Sequence, residues 1–394
     1  GAEEKPVLAI VTLRSPQQFG IIPSGFTMRR SQIAQLQERT LATLQPSEFE
    51  VVHQYSSVAG FSGLLTHSGL QKLERNPNVA AIQLDRRGGA NTAESVPKIR
   101  ATEWAQIGID GDGIAVAVLD SGLVNHPDLN DDLLLESCIL SSNVAAGGTG
   151  CPDGSGQQLD EPGAALDVDG HGTNVTGIIT SNGAIAPPGV APGSEVVAIK
   201  VTDDQAAGQV SDLIAGLQYI VNLPPAAFNI RVVNISNGWF IANNECNLGL
   251  GQQTKNLVAL LEQQGVLVVA SSGNGSNGQN IDYPACVDGV FSVGATDDND
   301  EVIGQSNSSP DLDLMAPGEN ITSTGISQTG LLTESGTSQA APHVSACAAL
   351  RLEDDPTLTP AKLKQILKVT DTLVTDPKNG LTFPRLRCGR PVLI

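Results

Sequence analysis

Four residues stand where a side chain can act on a carbonyl group. Asp120 follows the apolar run Ala115-Val116-Ala117-Val118-Leu119 and precedes Ser121-Gly122, which places a carboxylate just past a buried strand. His171 lies in Asp169-Gly170-His171-Gly172-Thr173. A glycine on each side lets the backbone turn tightly and leaves the imidazole unobstructed. Asn274, in Ser272-Gly273-Asn274, ends another apolar run and offers an amide that can donate to an oxyanion. Ser338 follows Gly336-Thr337 and precedes Gln339-Ala340-Ala341-Pro342-His343-Val344. Pro342 predicts the first turn of a helix, so Ser338 is expected at a helix N-terminus, where free N–H groups and the helix dipole favour negative charge. Taken singly, each has an ordinary reading as a turn aspartate, a structural histidine, a turn asparagine and a capping serine. Together, in the order Asp, His, Asn, Ser, they describe acyl transfer: a hydroxyl nucleophile, a base, a carboxylate that orients the base, and a donor for the charge that develops.

That chemistry needs a scaffold that gathers strand ends. Apolar, β-branched runs at 114–119, 196–201, 231–235, 266–270 and 290–293 alternate with helical stretches at 174–179, 212–221, 252–262 and 338–352. Alternation of this kind predicts an α/β fold, a mostly parallel sheet with helices on both faces, whose ligands bind beyond the carboxyl ends of the strands. A smaller unit precedes it. Residues 6–13 read as a strand, 31–44 as a helix, 49–65 as two strands broken near Gly60, 68–75 as a helix and 79–84 as a last strand. This is the split βαβ order of a small α+β, ferredoxin-like domain. Residues 86–97 lack apolar periodicity and read as a linker, giving expected domains 1–92 and 93–394.

The chain has 394 residues and a net charge of −20, which argues against nucleic acid as a partner. No apolar run approaches a membrane span, so no membrane partner is expected. Residues 1–92 carry a net +2 and residues 93–394 a net −22. No signal peptide is present; the opening Gly1-Ala2-Glu3-Glu4-Lys5-Pro6 reads as a processed or recombinant start from which an export address was removed. All six cysteines lie after residue 92 and none forms a CxxC pair, so disulfides in an oxidising compartment are favoured over a metal site, with six free thiols as the alternative.

The segments Val118-Leu119-Asp120-Ser121-Gly122, Gly170-His171-Gly172-Thr173 and Gly336 to Ser345 together resemble the catalytic domain of the subtilisin family of serine peptidases, and residues 1–92 resemble that family's propeptide, an intramolecular chaperone and inhibitor. The resemblance implies Ser338 as nucleophile, His171 as general base, Asp120 as its orienting carboxylate, and Asn274 with the Ser338 N–H as oxyanion hole. It implies a substrate groove between an edge strand at Asp203–Ser211, with Ala206, Ala207, Gly208 and Val210, and the segment Ser236-Asn237-Gly238. It implies a possible structural calcium with Asp128 and Asn182 as ligands, and no catalytic cofactor. It suggests Cys246–Cys286, beside the short-range pair Cys138–Cys151 and, by elimination, Cys347–Cys388. The chain departs from the family pattern at Gln339, where methionine is common, at Asn174, where a second histidine is usual, and in a glycine-rich insertion before His171, expected to be a disulfide-pinned surface loop. The loop 275–282 aligns ambiguously, so primary side-chain specificity stays open.

The implied protein is a secreted, monomeric serine endopeptidase made as a self-processing zymogen, acting on proteins or peptides and inhibited by its own residues 1–92, with the cut near Thr92. Two other readings stand beside it: a non-catalytic relative silenced by its own first domain, and a processing peptidase selective for paired basic residues, suggested by Arg86-Arg87 at the junction.

Overall fold

The computed structural model describes residues 6–14, 30–55, 59–84, 92–129, 132–239, 246–327 and 329–390. The chain folds as two units, 1–88 and 89–394.

The first unit runs β1 (Val7–Leu13), α1 (Arg30–Leu41), β2 (Phe49–Gln54), β3 (Gly60–Leu65), α2 (His67–Glu74) and β4 (Val79–Leu84). Its antiparallel sheet has the order β2-β3-β1-β4, the ferredoxin-like arrangement. Ala9, Val11, Leu13, Phe49, Phe61, Leu65 and Leu73 form its core, with Phe49 and Phe61 packed edge to face. Thr66 starts α2 by accepting the Gly69 N–H on its hydroxyl.

The second unit opens on α3 (Thr92–Lys98) and is built on one sheet: β5 (Ala115–Asp120), β6 (Leu133–Ile139), β7 (Gln157–Gln158), β8 (Glu195–Lys200), β9 (Ile230–Ile235), β10 (Leu267–Ser271), β11 (Phe291–Thr296) and β12 (Leu314–Pro317). The order is β12-β11-β10-β9-β5-β8-β6-β7, and every pair is parallel except β6 with β7. Helices α6 (His171–Thr180) and α10 (Thr337–Asp354) bury one face of the sheet, and α7 (Val210–Asn222) and α9 (Leu250–Gln263) bury the other. Short helices α4 (Thr102–Ala105), α5 (Ser141–Ala145) and α8 (Pro225–Phe228) lie in connections. Strand β5 is buried at every position, which is why it reads as a continuous apolar run rather than an alternating one.

Two local features differ from the sequence reading. The glycine-rich insertion before His171 is pinned by Cys138–Cys151 as expected, but Leu133–Ile139 ahead of it enters the sheet beside β8, a strand that the sequence reading did not place. The flanking acids of Asp131-Asp132 and Glu136 hid that strand's apolar face. Pro342 lies beyond the first turn of α10. A proline there deprives the Ser338 carbonyl of its helical donor, and the Ser236 hydroxyl takes that place at 2.8 Å. Helix α10 is buried from Thr337 to Leu352. Its alanines and serines let it lie close against β9, β10 and β11.

The cysteines pair as Cys138–Cys151, Cys246–Cys286 and Cys347–Cys388. The bonds close loops of different length, with sequence separations of 13 and 41 for the first and last. Loop-closure entropy then assigns about 3 kcal/mol to Cys138–Cys151 and about 4 kcal/mol to Cys347–Cys388. Paired Cys→Ala replacements in a Ser338→Ala background should lower unfolding stability in that order; equal losses in urea titrations would count against a loop-entropy origin.

Candidate active site

The four chemical residues come from four strand or helix ends. Asp120 ends β5 and is 1% exposed. A buried carboxylate must have its oxygens filled. Oδ1 accepts the Ser121 N–H at 2.7 Å and the His171 Nδ1–H at 2.7 Å, and Oδ2 accepts the Asn237 amide at 3.0 Å.

His171 is the first residue of α6, preceded by Gly170 at φ 105°, a left-handed turn that favours glycine. The turn is seated by Asp167, which the sequence reading did not single out. Asp167 accepts the Gly170 N–H and the Ser121 hydroxyl on one oxygen, both at 2.9 Å, and the Thr173 N–H and hydroxyl on the other at 2.9 and 2.6 Å. Its bonds reach three and six residues ahead, and the six-residue reach lies outside the spacing of an ordinary helix cap, so no sequence signal pointed to it.

Ser338 is the second residue of α10 and 8% exposed. Its hydroxyl donates to the Ser236 carbonyl at 2.7 Å. Rotation about χ1 is the motion that would turn Oγ toward the imidazole. Asn274 accepts the Thr337 N–H at 2.9 Å and the Thr337 hydroxyl at 3.1 Å on Oδ1. That fixes which side of the amide is oxygen and leaves Nδ2 beside Gly336, at the start of the serine's helix, as a donor.

The expected groove residues divide. Ser236 is tied to Ser338 by the two bonds already described, and Asn237 holds Asp120. Residues Asp203–Ala207 form a turn rather than an edge strand. The Asp203 carboxylate accepts the Gln205 and Ala207 N–H groups, both at 3.0 Å, and Ala206 has φ 57°. Val210 is the first residue of α7, so it too lies outside any strand. Gly208 meets the segment after β9, its carbonyl accepting the indole N–H of Trp239, the neighbour of Gly238, at 2.8 Å.

The two departures from the family pattern touch each other. The Gln339 amide donates to Glu334 at 2.8 Å and to Asn174 Oδ1 at 3.4 Å, and the Asn174 amide donates to the Leu332 carbonyl at 2.8 Å. They join α6 and α10 to the hairpin β13 (Ile321–Thr324) and β14 (Leu331–Glu334).

Asp128 and Asn182 do not fit a calcium ion. Asp128 accepts the Ile185 N–H at 3.0 Å and the Ala186 N–H at 2.6 Å, and Asn182 Oδ1 accepts the Ala184 N–H at 3.0 Å. Their oxygens cap a turn, and a cation would have to displace those donors. No cluster of three or more His, Cys, Asp or Glu able to hold a metal occurs among the described residues.

Burial pulls the His171 imidazole toward the neutral form. The charge and hydrogen bond of Asp120, with the charges of Glu334 and Asp169, outweigh it and raise the pKa from 6.5 to about 9. Glu334 is itself raised, first by burial.

The Subtilase family model matches residues 111–384, and the Peptidase inhibitor I9 model matches residues 10–87. The chain is 30% identical over 342 residues to a thermostable alkaline protease of Halalkalibacterium halodurans, covering 85% of this chain and 84% of that protein. It is 35% identical over 292 residues to subtilisin Savinase of Lederbergia lenta, covering 71% and 93%. A crystal structure of a cold adapted subtilisin-like serine proteinase superposes with a TM-score of 0.57 at 26% identity, covering 72% of this chain and 92% of that one.

An NMR titration of His171 in the Ser338→Ala chain should place its midpoint near 9, well above 6.5. Glu334→Gln removes a negative charge that favours imidazolium, so the midpoint should move down. A midpoint at or below the ordinary histidine value, or no response to Glu334→Gln, would sink this charge balance.

Proposed function

The chain belongs to the subtilase family and is a serine endopeptidase with an I9 propeptide domain; from that premise we propose that Asp120, His171 and Ser338 form its catalytic triad, with Asn274 in the oxyanion hole. The observation that carries the reading is the 2.7 Å bond from His171 Nδ1 to Asp120, at the strand ends where Ser338 and Asn274 also lie. That bond fixes the imidazole with Nε2 as its free basic nitrogen.

Ser338 Oγ turns from Ser236 to His171 Nε2, gives up its proton and attacks the scissile carbonyl carbon. The oxyanion that forms takes hydrogen bonds from Asn274 Nδ2 and the Ser338 N–H. Asp120 stabilises the imidazolium without taking its proton. His171 then protonates the leaving amine, and an acyl-enzyme remains. A water, deprotonated by His171, repeats the sequence and releases the second product. The peptide lies between Gly208 and the segment Ser236–Gly238, read chiefly through its backbone. Only the neutral imidazole can accept the serine's proton, so kcat/KM should rise with pH through the His171 pKa.

The protein acts on protein substrates, and residues 1–92 serve as its inhibitor. We read it as a secreted, monomeric zymogen that removes residues 1–92 itself by a cut near Thr92. No helix among the described residues is long and apolar enough to cross a membrane. The opposite net charges of the two parts support fast docking of the inhibitor, weakened by salt.

Ser338→Ala should abolish turnover and leave a single uncut chain. Maturation of that variant would remove the assignment and leave the non-catalytic reading to be judged by wild-type turnover of casein. Asn274→Ala should lower kcat by about 10²–10³-fold with little change in KM, the range a single oxyanion donor supplies in subtilisin. An equal loss in KM would mark a groove residue instead. Purified residues 1–92 titrated into mature enzyme should inhibit at or below micromolar concentration, with an on-rate that falls as salt rises.

A further inference from the structure

The cleft wall contains a carboxylate that neither the triad nor the fold uses. The Asp282 N–H donates to the Ser272 carbonyl at 2.9 Å. The next residue, Tyr283, pairs in both directions with Trp239, at 2.8 and 3.0 Å. Asp282 is therefore strung between segment 236–239, which holds Ser338 and Asp120, and segment 271–274, which carries Asn274.

Its side chain faces glycine on both walls. A Cβ built on Gly238 would stand 3.5 Å from Asp282 Oδ2, and one built on Gly273 only 2.0 Å from it. Gly273 has φ 99° and needs glycine for its backbone, but Gly238 does not have a left-handed backbone. At Gly238 the missing side chain leaves room. The carboxylate thus lies between two glycines, one in the segment that holds Ser338 and one next to Asn274.

The carboxylate is half-buried, and among the described residues it has neither a hydrogen bond nor an ion pair. Burial alone raises its pKa. A charge removed from water without a partner costs free energy, so this one does not stabilise the fold. A cation brought beside Asp282 would supply the partner, and the charged end of a lysine or arginine side chain on a long apolar stem is the substrate group that can do so.

We propose that Asp282 is the specificity-determining residue of the primary substrate pocket and selects lysine or arginine on the acyl side of the scissile bond. The proposal rests on the serine endopeptidase reading and names its substrate class.

The test uses mature enzyme whose concentration is set by titrating active sites with an acylating inhibitor, so misfolded protein does not count. Peptide anilides that differ only at the residue before the scissile bond (Arg, Lys, Leu, Phe, Glu) are compared in wild type, in Asp282→Asn, which keeps shape and removes charge, and in Asp282→Gly. Wild type should favour Lys and Arg over Leu by on the order of 10–100-fold in kcat/KM, a preference that shrinks at high salt. Both variants should lose it, through the Lys and Arg substrates. Equal kcat/KM for basic and apolar residues in wild type, or a preference that survives Asp282→Asn, would overturn the proposal while the peptidase reading stands. Failure of wild type to cleave any anilide or casein would overturn the peptidase reading itself.

Discussion

A charged carboxylate buried at the centre of the sheet sets the terms for everything around it. Asp120 ends β5, the strand with β8 on one side and β9 on the other, where burial keeps it from bulk solvent. Each donor it requires comes from a different part of the chain: the next peptide N–H, the end of β9 through Asn237, and the start of α6 through His171. Remove any one and a buried charge is short a hydrogen bond, which costs more than the bond contributes when made. The neighbouring buried Lys200 is satisfied separately, its ammonium donating to the Ser121 carbonyl at 2.7 Å and to Asp204 at 3.1 Å. Holding Asp120 therefore locks the relative position of the strands and helices that deliver the imidazole.

A second constraint comes from Pro342. Because a proline sits where the donor to the Ser338 carbonyl should be, the helix cannot complete its own bonding there. The Ser236 hydroxyl makes up the bond, and the Ser236 carbonyl accepts from Ser338 Oγ in return. The Ser338 backbone is thereby stitched to the segment that follows β9. Asn234 and Ser345 continue the stitch inward, with Asn234 donating to Ser236 Oγ at 3.0 Å and Ser345 donating to Asn234 at 2.8 Å.

Sequence made the parallel sheet legible because a strand buried on both faces has an unmistakable composition, as in residues 115–119. Asp120, His171, Asn274 and Ser338 stood out in the sequence because they sit beside glycines at the ends of such runs or at a helix start. What sequence did not show were roles that exist only after folding. The hold of Asn237 on Asp120 is visible only in the folded chain, and nothing in the sequence singles out Glu334 or Asp282 before their neighbours are in place. Within the run 203–210 the sequence did not show that Asp203 captures the N–H groups two and four residues ahead and so makes a turn before Gly208. Asp128 and Asn182 mislead, since oxygen ligands and turn caps use the same side chains, and only the direction of the N–H groups tells them apart.

The insertion after β6 has a bearing on the lifetime of the molecule. Asp212 at the start of α7 accepts the Ser142 and Asn143 N–H groups at 2.9 and 2.8 Å, the Asn143 amide reaches Thr149 and Asp203 at 2.9 Å each, and Cys138–Cys151 closes the ring. A chain segment enters a cleft of this kind only as an extended ribbon. This ring is curled, bonded at several points to the body of the domain and covalently shut, so it cannot straighten into a neighbour's cleft without opening all of those bonds together. In a concentrated population of such molecules, each exposed to every other, the glycine-rich stretch that looks most open to attack is thereby shielded from autolysis.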